Sequence, residues 1–309
     1  MQVILGAGGV IGNELAVVLP AYADEIRLVS RTPTKVIESN ETFAADLVDS
    51  GQMHAAVEGA EVAYLVAGLP YRTSEWQAKW PVIMQNAIEA CKAHGTKLVF
   101  FDNIYMYDCD RLDGMDEMTP IRPTSRKGEV RANIAQMLMD AVQSGDVQGL
   151  IARSADFYGP GRQQNSVIGV SVFERLAAGK AAQWLMSLEH KHSFTYTPDA
   201  AVGTALLGNT ADAYGGVWHL PTAADPPTGQ EWIDRIAAEL GVTSKAQVAG
   251  SAIMTIMGLF NEPLRELKEM AYQYDRDYVF SSDKFNARFD FKPTSYADGI
   301  KAIAEADYR

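Results

Sequence analysis

Short, continuously apolar runs alternate with helical patterns through the first half of the chain. Residues 3–5 form such a run; past a glycine loop, Leu15, Val18 and Leu19 fall on one helical face before Pro20. Residues 26–29 predict a second strand, and a third strand unit ends near Ala44 and Ala45. Met53, Ala56 and Val57 then repeat at helical spacing, with Gly59 placed as a C-terminal cap. Residues 62–66, 97–101 and 150–152 continue the strands, and a helix over 82–94 closes at Gly95. Strands apolar at consecutive rather than alternate positions are buried on both faces. Their alternation with helices predicts a parallel sheet with crossover connections.

Beyond about residue 150 the rhythm changes. A loop over 158–164 leads to a helix over 171–178, then to a strand over 217–220 and a loop over 221–229. Trp232, Ile233, Ile236, Ala237 and Leu240 make a helical stripe closed by Gly241. A helix over 262–274 carries Leu264, Leu267 and Ala271 in register, and 278–280 is a short strand. The aromatic and methionine stripes of this half read as core.

Composition narrows the function classes. The chain has 309 residues, 47% of them hydrophobic and 21% charged, which suits a globular protein of one large or two modest domains. A formal charge of -12 argues against nucleic acid, whose binding draws on phosphate neutralisation, and favours a small-molecule ligand. Cys91 and Cys109 make no disulfide framework. No stretch reaches about 18 uninterrupted apolar residues, so no membrane partner is expected. With no charged n-region or cleavage site before the glycine loop, a cytoplasmic location is expected. A homodimer is left open.

The loop Gly6-Ala7-Gly8-Gly9-Val10-Ile11-Gly12 lies between the first strand and the first helix. Glycine there permits a sharp turn and close backbone approach to a pyrophosphate, while the helix start offers amides and a positive dipole end. Position 11 is Ile, so the glycines that count are 6, 9 and 12. That spacing resembles the extended and atypical branches of the short-chain dehydrogenase/reductase superfamily, of the NAD-dependent epimerase/dehydratase kind. Further matches follow in order. Ala45-Asp46-Leu47 looks like the family's acidic turn that meets the adenine, and Leu65-Val66-Ala67-Gly68 like the end of its fourth strand. Residues 101–107 sit where its active-site strand lies. Arg153-Ser154-Ala155-Asp156-Phe157-Tyr158-Gly159-Pro160-Gly161 is similar to its turn into the substrate lobe, and residues 192–200 to its late histidine/aspartate motif.

The resemblance implies a Rossmann-like α/β fold, a doubly wound parallel sheet with a smaller C-terminal substrate lobe. Residues 1–155 would bind the dinucleotide, with 193–220 returning to that domain; 156–309 would form most of a discontinuous lobe. Asp156, Tyr158 and His192 are expected at the substrate, and Gly6, Gly9, Val10, Ile11, Gly12, Asp46, Leu47 and Ala67 at the cofactor.

The second strand ends in Ser30-Arg31 with no carboxylate to take a ribose 2'-hydroxyl. A hydroxyl and a guanidinium suit a 2'-phosphate, so NADP is favoured over NAD.

The catalytic pattern is degenerate. The family's acid/base tyrosine stands four residues before a ribose-holding lysine; Lys127 fits the lysine, but the tyrosine place holds Pro123. Asn103 takes the serine's place and can still donate to a carbonyl oxygen. Strand alternation would put Asn103, Tyr105 and Tyr107 on one face, so that a phenol replaces the acid; the alternative is that both tyrosines only pack. The basic cluster Arg122, Arg126, Lys127 and Arg131 reads either as an anion site facing the cofactor or a substrate phosphate or, favoured for all but Lys127, as the solvated start of a helix. His190 and His192 lack a further ligand nearby, and no metal is expected. The expected function is an NADP(H)-binding oxidoreductase or epimerase/dehydratase-like enzyme on a small hydroxyl or carbonyl compound, sugar-derived ones included. The alternative is a catalytically silent NADP(H) sensor.

Overall fold

The computed structural model describes residues 1–161, 164, 166–251, 254–255 and 262–309, without the side chains of Pro263 and Leu264. The expected 158–164 loop and 262–274 stripe therefore lie outside the described residues at 162–163 and at the Leu264 side chain. In chain order the strands are β1 Gln2–Leu5, β2 Ile26–Ser30, β3 Glu41–Ala44, β4 Val62–Leu65, β5 Lys97–Asp102, β6 Asp113–Met115, β7 Gly149–Arg153, β8 Asp156–Tyr158, β9 Ala182–Leu185, β10 Phe194–Tyr196, β11 Val217–His219, β12 Ala246–Ala249 and β13 Val279–Phe280. The helices used below are α1 Val10–Val18, α2 Ser50–Val57, α3 Thr73–His94 and α4 Arg126–Gln143; helices Thr197–Gly208 and Gly229–Leu240 follow. Among the described residues no helix is long and apolar enough to cross a membrane.

Two compact units emerge. The first comprises Met1–Ile104, Lys127–Ser154 and Ala200–Leu220; the second comprises Tyr105–Arg126, Ala155–Asp199 and Pro221–Arg309. The first is built on a seven-stranded parallel sheet in the order β11-β7-β5-β4-β1-β2-β3. Every residue of β1, β4 and β7 is buried, as apolar runs covered on both faces require. From β1 the chain winds outward to β2 and β3, then crosses to β4 on the other flank. Adjacent strands whose connections leave in opposite directions open a crevice at their carboxyl ends, here between β1 and β4.

Among its described residues the second unit holds three two-stranded pairs, β8 with β10, β9 with β12 and β6 with β13. Its core gathers Tyr158, Phe173, Trp184, Phe194, Trp232, Ile236 and Ile300, all buried. Of the 193–220 stretch expected in the first unit, 200–220 lies there; Phe194–Tyr196 instead pairs with β8, leaving 193–199 in the second. Residues 105–126 also fall in the second unit, although they lie within the expected 1–155 domain.

Two helix boundaries differ from expectation. Helix α3 starts at Thr73 rather than near 82, and Pro81 lies inside it. Proline removes only the bond to the carbonyl four residues back, which belongs to the exposed Gln77, while Trp76, Trp80, Ile83 and Met84 continue the buried stripe. The expected 171–178 helix is split into a π-turn, Gly169–Phe173, and a short α segment, Glu174–Ala177. Helix Gly229–Leu240 carries the predicted stripe and ends at Gly241 with φ 68°.

Candidate cofactor and substrate sites

The turn from β1 into α1 is shaped by steric necessity. Gly6 has φ 100°, and its amide donates to the Val29 carbonyl. A Cβ there would stand 2.3 Å from Ala67 Cα, so the turn and the end of β4 touch backbone to backbone. Gly12 is packed nearly as tightly: its Cβ would meet Ala7 Cα at 3.2 Å and the Gly6 carbonyl at 3.3 Å. Gly8 and Gly9 face open space instead. A Cβ on Gly8 would meet nothing within 4 Å, and one on Gly9 only the Gly6 oxygen at 3.9 Å.

Gly9 caps α1 in extended conformation without a side-chain hydrogen bond, and the first turn has no acidic residue. The first amide bonded back to the cap carbonyl is that of Asn13. The amides of Val10, Ile11 and Gly12 precede it and have no acceptor within the helix. This concave, uncapped turn has the form and polarity that a dinucleotide pyrophosphate requires.

The other expected cofactor residues line the same carboxyl edge. Half-buried Ser30 ends β2 and exposed Arg31 follows. Exposed Asp46 follows β3, its Oδ1 accepting from the Val48 amide. Asn86 Nδ2 on α3 donates to the carbonyls of Leu47 and Val48, which fixes this turn from below. The Glu75 carboxyl on α3 is held below its ordinary range, chiefly by Lys79, with Arg72 and Arg31 adding to the effect.

Lys127, in the first turn of α4, is fully buried. Its Nζ donates to Thr73 Oγ1 at 3.1 Å and lies 4.5 Å from the centre of the Tyr71 ring. Tyr71 comes from the β4–α3 connection and Thr73 is the first residue of α3; sequence reasoning missed both. Arg131, one turn further along, overturns the solvated-helix reading. It is buried, with Nε 2.7 Å from Asp102 Oδ1 and its guanidinium 4.7 Å from the Trp80 ring. Arg153 Nε reaches the other oxygen of Asp102 at 3.2 Å. Arg122 and Arg126 are exposed, as expected; Arg122 pairs with Asp108 and Asp110, and Arg126 approaches Glu269 at 3.8 Å.

The expected alternation of Asn103, Tyr105 and Tyr107 does not occur, because β5 ends at Asp102 and the chain turns. Asp102 Oδ1 takes the Asn103 amide and stops the strand. Tyr107 is 1% exposed and bridges to Ile121, so it packs rather than facing a ligand. Tyr105 is half-buried in the second unit.

In the second unit Asp156 Oδ2 accepts from His192 Nε2 at 3.0 Å and from Tyr274 Oη at 3.1 Å. The His192 ring is stacked between Tyr274 and Tyr278, with centroids 4.3 Å away on each side. Trp232 Nε1 donates to the His192 carbonyl. Burial first, and the Asp156 charge second, push both phenols well above their ordinary value, so they remain protonated at neutral pH. His192 itself is buried, and the Asp156 side chain keeps 16% of its surface exposed. Tyr158 departs from expectation: it is 1% exposed, its ring packs on Trp232, and its hydroxyl lies against Gly299. It is a core residue, not a substrate contact. His190 turns to Asp277 while His192 turns to Asp156, so the two rings share no ligand point. Asp108, Cys109 and Asp110 cluster within 4.8 Å, but Arg122 already bonds both carboxylates.

A model of the NAD dependent epimerase/dehydratase family matches residues 2–218. A 3-diazoavenalumate denitrifying reductase from a Streptomyces species is 23% identical over 317 residues, covering 96% of this chain and 98% of the relative. The UDP-glucose 4-epimerase of Thermus thermophilus, in complex with NAD, has a TM-score of 0.79 at 20% identity, covering 99% of this chain and 98% of that one. A double mutant of a dTDP-glucose 4,6-dehydratase from Streptomyces venezuelae, also holding NAD, gives 0.80 at 15% identity, with 99% and 96% covered. At these identities the structural likeness speaks for the fold alone.

Proposed function

Because the chain belongs to the NAD dependent epimerase/dehydratase family, we propose that it is an NADP(H)-dependent oxidoreductase or epimerase-type enzyme acting on a small hydroxyl or carbonyl compound, sugar derivatives included. The observation that carries this reading is the β1–α1 turn, whose buried side admits no Cβ at Gly6 and whose open side presents amides with no acceptor in the helix. A protein that used this turn only to reverse the chain would gain from a side-chain cap there.

In this reading the amides of Val10, Ile11 and Gly12, with Gly9, hold the pyrophosphate. Asp46 and Leu47 flank the adenine, and Ala67 and Lys127 meet the far ribose. When bound, the dinucleotide supplies or accepts a hydride. Asn103 donates its amide to the reacting oxygen; within the second unit Asp156, oriented by His192, is available to accept from a hydroxyl. Solved relatives hold NAD; the preference for NADP here rests on Ser30 and Arg31 and on the missing carboxylate at the end of β2.

Pro123 in place of the family's tyrosine favours a second reading, a sensor that binds NADP(H) without turnover. Mixing the protein with NADPH and a broad panel of carbonyl compounds, and following cofactor absorbance, separates the two. Consumption with any member supports the enzyme. Tight binding without turnover across the panel supports the sensor, and absence of binding overturns both.

A further inference from the structure

Carbonyl chemistry on this scaffold needs a group that exchanges a proton with the substrate oxygen, and Pro123 has none to give. The first unit contains the phenols Tyr22, Tyr64, Tyr71 and Tyr214. Three of them gather at the amino edge of the sheet, away from the glycine turn. Tyr64 Oη donates to Gln2, the first residue of β1. The Tyr214 ring lies 5.5 Å from Lys97 Nζ at the start of β5. Tyr22 closes the turn after α1 and is close enough to Tyr64 to raise its ionisation further.

Tyr71 is the phenol at the opposite edge. It belongs to the β4–α3 connection, the segment whose Ala67 touches the Gly6 backbone; the residue as a whole is half-buried and its hydroxyl oxygen is enclosed by protein. Its ring is fixed edge-on by Trp76, with centroids 5.7 Å apart. Lys127 Nζ lies over its face at 4.5 Å and is tied by Thr73 Oγ1, two residues along at the start of α3. Tyr105 has different surroundings: it sits among phenols, close enough to Tyr274 and Tyr278 to raise their ionisation.

Resting on the reading of the chain as an NADP(H) enzyme, we propose that Tyr71 is its proton-exchanging catalytic residue, with Lys127 as the cationic partner that stabilises the phenolate. In reduction, a carbonyl carbon takes the hydride supplied by the reduced nicotinamide, and its oxygen takes the Tyr71 Oη proton. The C=O bond becomes CH–OH, the Oη–H bond breaks, and a proton delivered from solvent after product has left restores the phenol beside Lys127. Oxidation runs the same transfers in reverse. A cation on the ring face favours the charged form of the phenol, which is what a proton donor working near neutral pH requires.

Two measurements test this. In the first, dinucleotide affinity and turnover are compared in the wild type, Tyr71→Phe and Tyr105→Phe. Tyr71→Phe keeps the ring against Lys127 and Trp76; it is expected to bind dinucleotide within about threefold of wild type and to lose about 100-fold or more in kcat. Tyr105→Phe is expected to stay within about threefold in both. Wild-type turnover by Tyr71→Phe overturns the proposal.

The second needs no substrate. The Tyr71 phenol is isolated as the phenolate absorbance difference between wild type and Tyr71→Phe through a pH titration, then isolated again in a Lys127→Met background. Its ionisation is expected to move up by about one pH unit when the cation is removed; an unchanged midpoint overturns the proposal. Circular dichroism confirms folding of each variant, and if Lys127→Met does not fold the turnover comparison still decides. Failure of the wild type to bind either dinucleotide would instead defeat the enzyme reading, and the titration would still report on the Tyr71–Lys127 pairing.

Discussion

Helices α1 and Gly229–Leu240 face the same problem, a first turn of amides with no acceptor in the helix, and meet it in opposite ways. At Gly229–Leu240 the protein supplies the answer itself: Thr228 Oγ1 accepts from the Glu231 amide, and Glu231 Oε2 accepts from the Thr228 amide. That capping box lets Trp232, Ile233 and Ile236 anchor the helix in the core of the second unit. At α1 the cap is Gly9, with no side-chain acceptor and open space around it. The second unit uses its helix start for stability. The first unit leaves its own bare beside a backbone contact, Gly6 on Ala67, that admits no side chain. An acceptor withheld by the fold, at the mouth of a crevice between outward-winding strands, is what a ligand with phosphate oxygens would supply.

Substitutions at the two helix starts can break this contrast. The largest effect is expected for Gly6→Ala, because its Cβ meets the backbone of Ala67 and φ 100° is strained for any side chain. A loss of about 3 kcal/mol in denaturant unfolding is expected, with dinucleotide binding abolished. Gly9→Asp is next and is expected to act with opposite signs on two readouts. Its extended backbone accepts an aspartate, whose carboxylate caps α1 and raises the unfolding free energy by a few tenths of a kcal/mol. The same charge repels a pyrophosphate, so calorimetry should show dinucleotide affinity falling by about 10-fold to 100-fold. Thr228→Ala is the smallest: about 1 kcal/mol of stability lost and dinucleotide affinity unchanged. If Gly9→Asp binds dinucleotide normally, α1 is an ordinary helix start and the contrast collapses.

What could be read from the sequence follows how locally each feature is encoded. The glycine turn, the buried strands and the stripe ending at Gly241 depend on residues within a few positions of one another, and they stand as expected. Lys127 was identifiable by its place, but its surroundings were not, since Thr73 lies 54 residues away. Arg131 resembled any cation near a helix start; Asp102, 29 residues back, makes it a buried partner. The expected alternation through Tyr107 failed because nothing in the residue types announces that the Asp102 side chain will take the next amide and end the strand. Tyr158 lies in a stretch similar to the family's turn into the substrate lobe, yet packing against Gly299, far along the chain, makes it core. At α3 the helix extends back past Pro81 to Thr73, because the bond that proline removes falls on the solvent side.

The central claim, that the bare turn and Arg31 together hold a 2'-phosphorylated dinucleotide, is tested most directly by comparing NADPH and NADH dissociation constants in the wild type and in Arg31→Ala. The wild type is expected to bind NADPH at least about tenfold more tightly, with Arg31→Ala losing that preference through weaker NADPH binding while NADH is unaffected. Tighter binding of NADH by the wild type, or an NADPH preference that survives in Arg31→Ala, would contradict it.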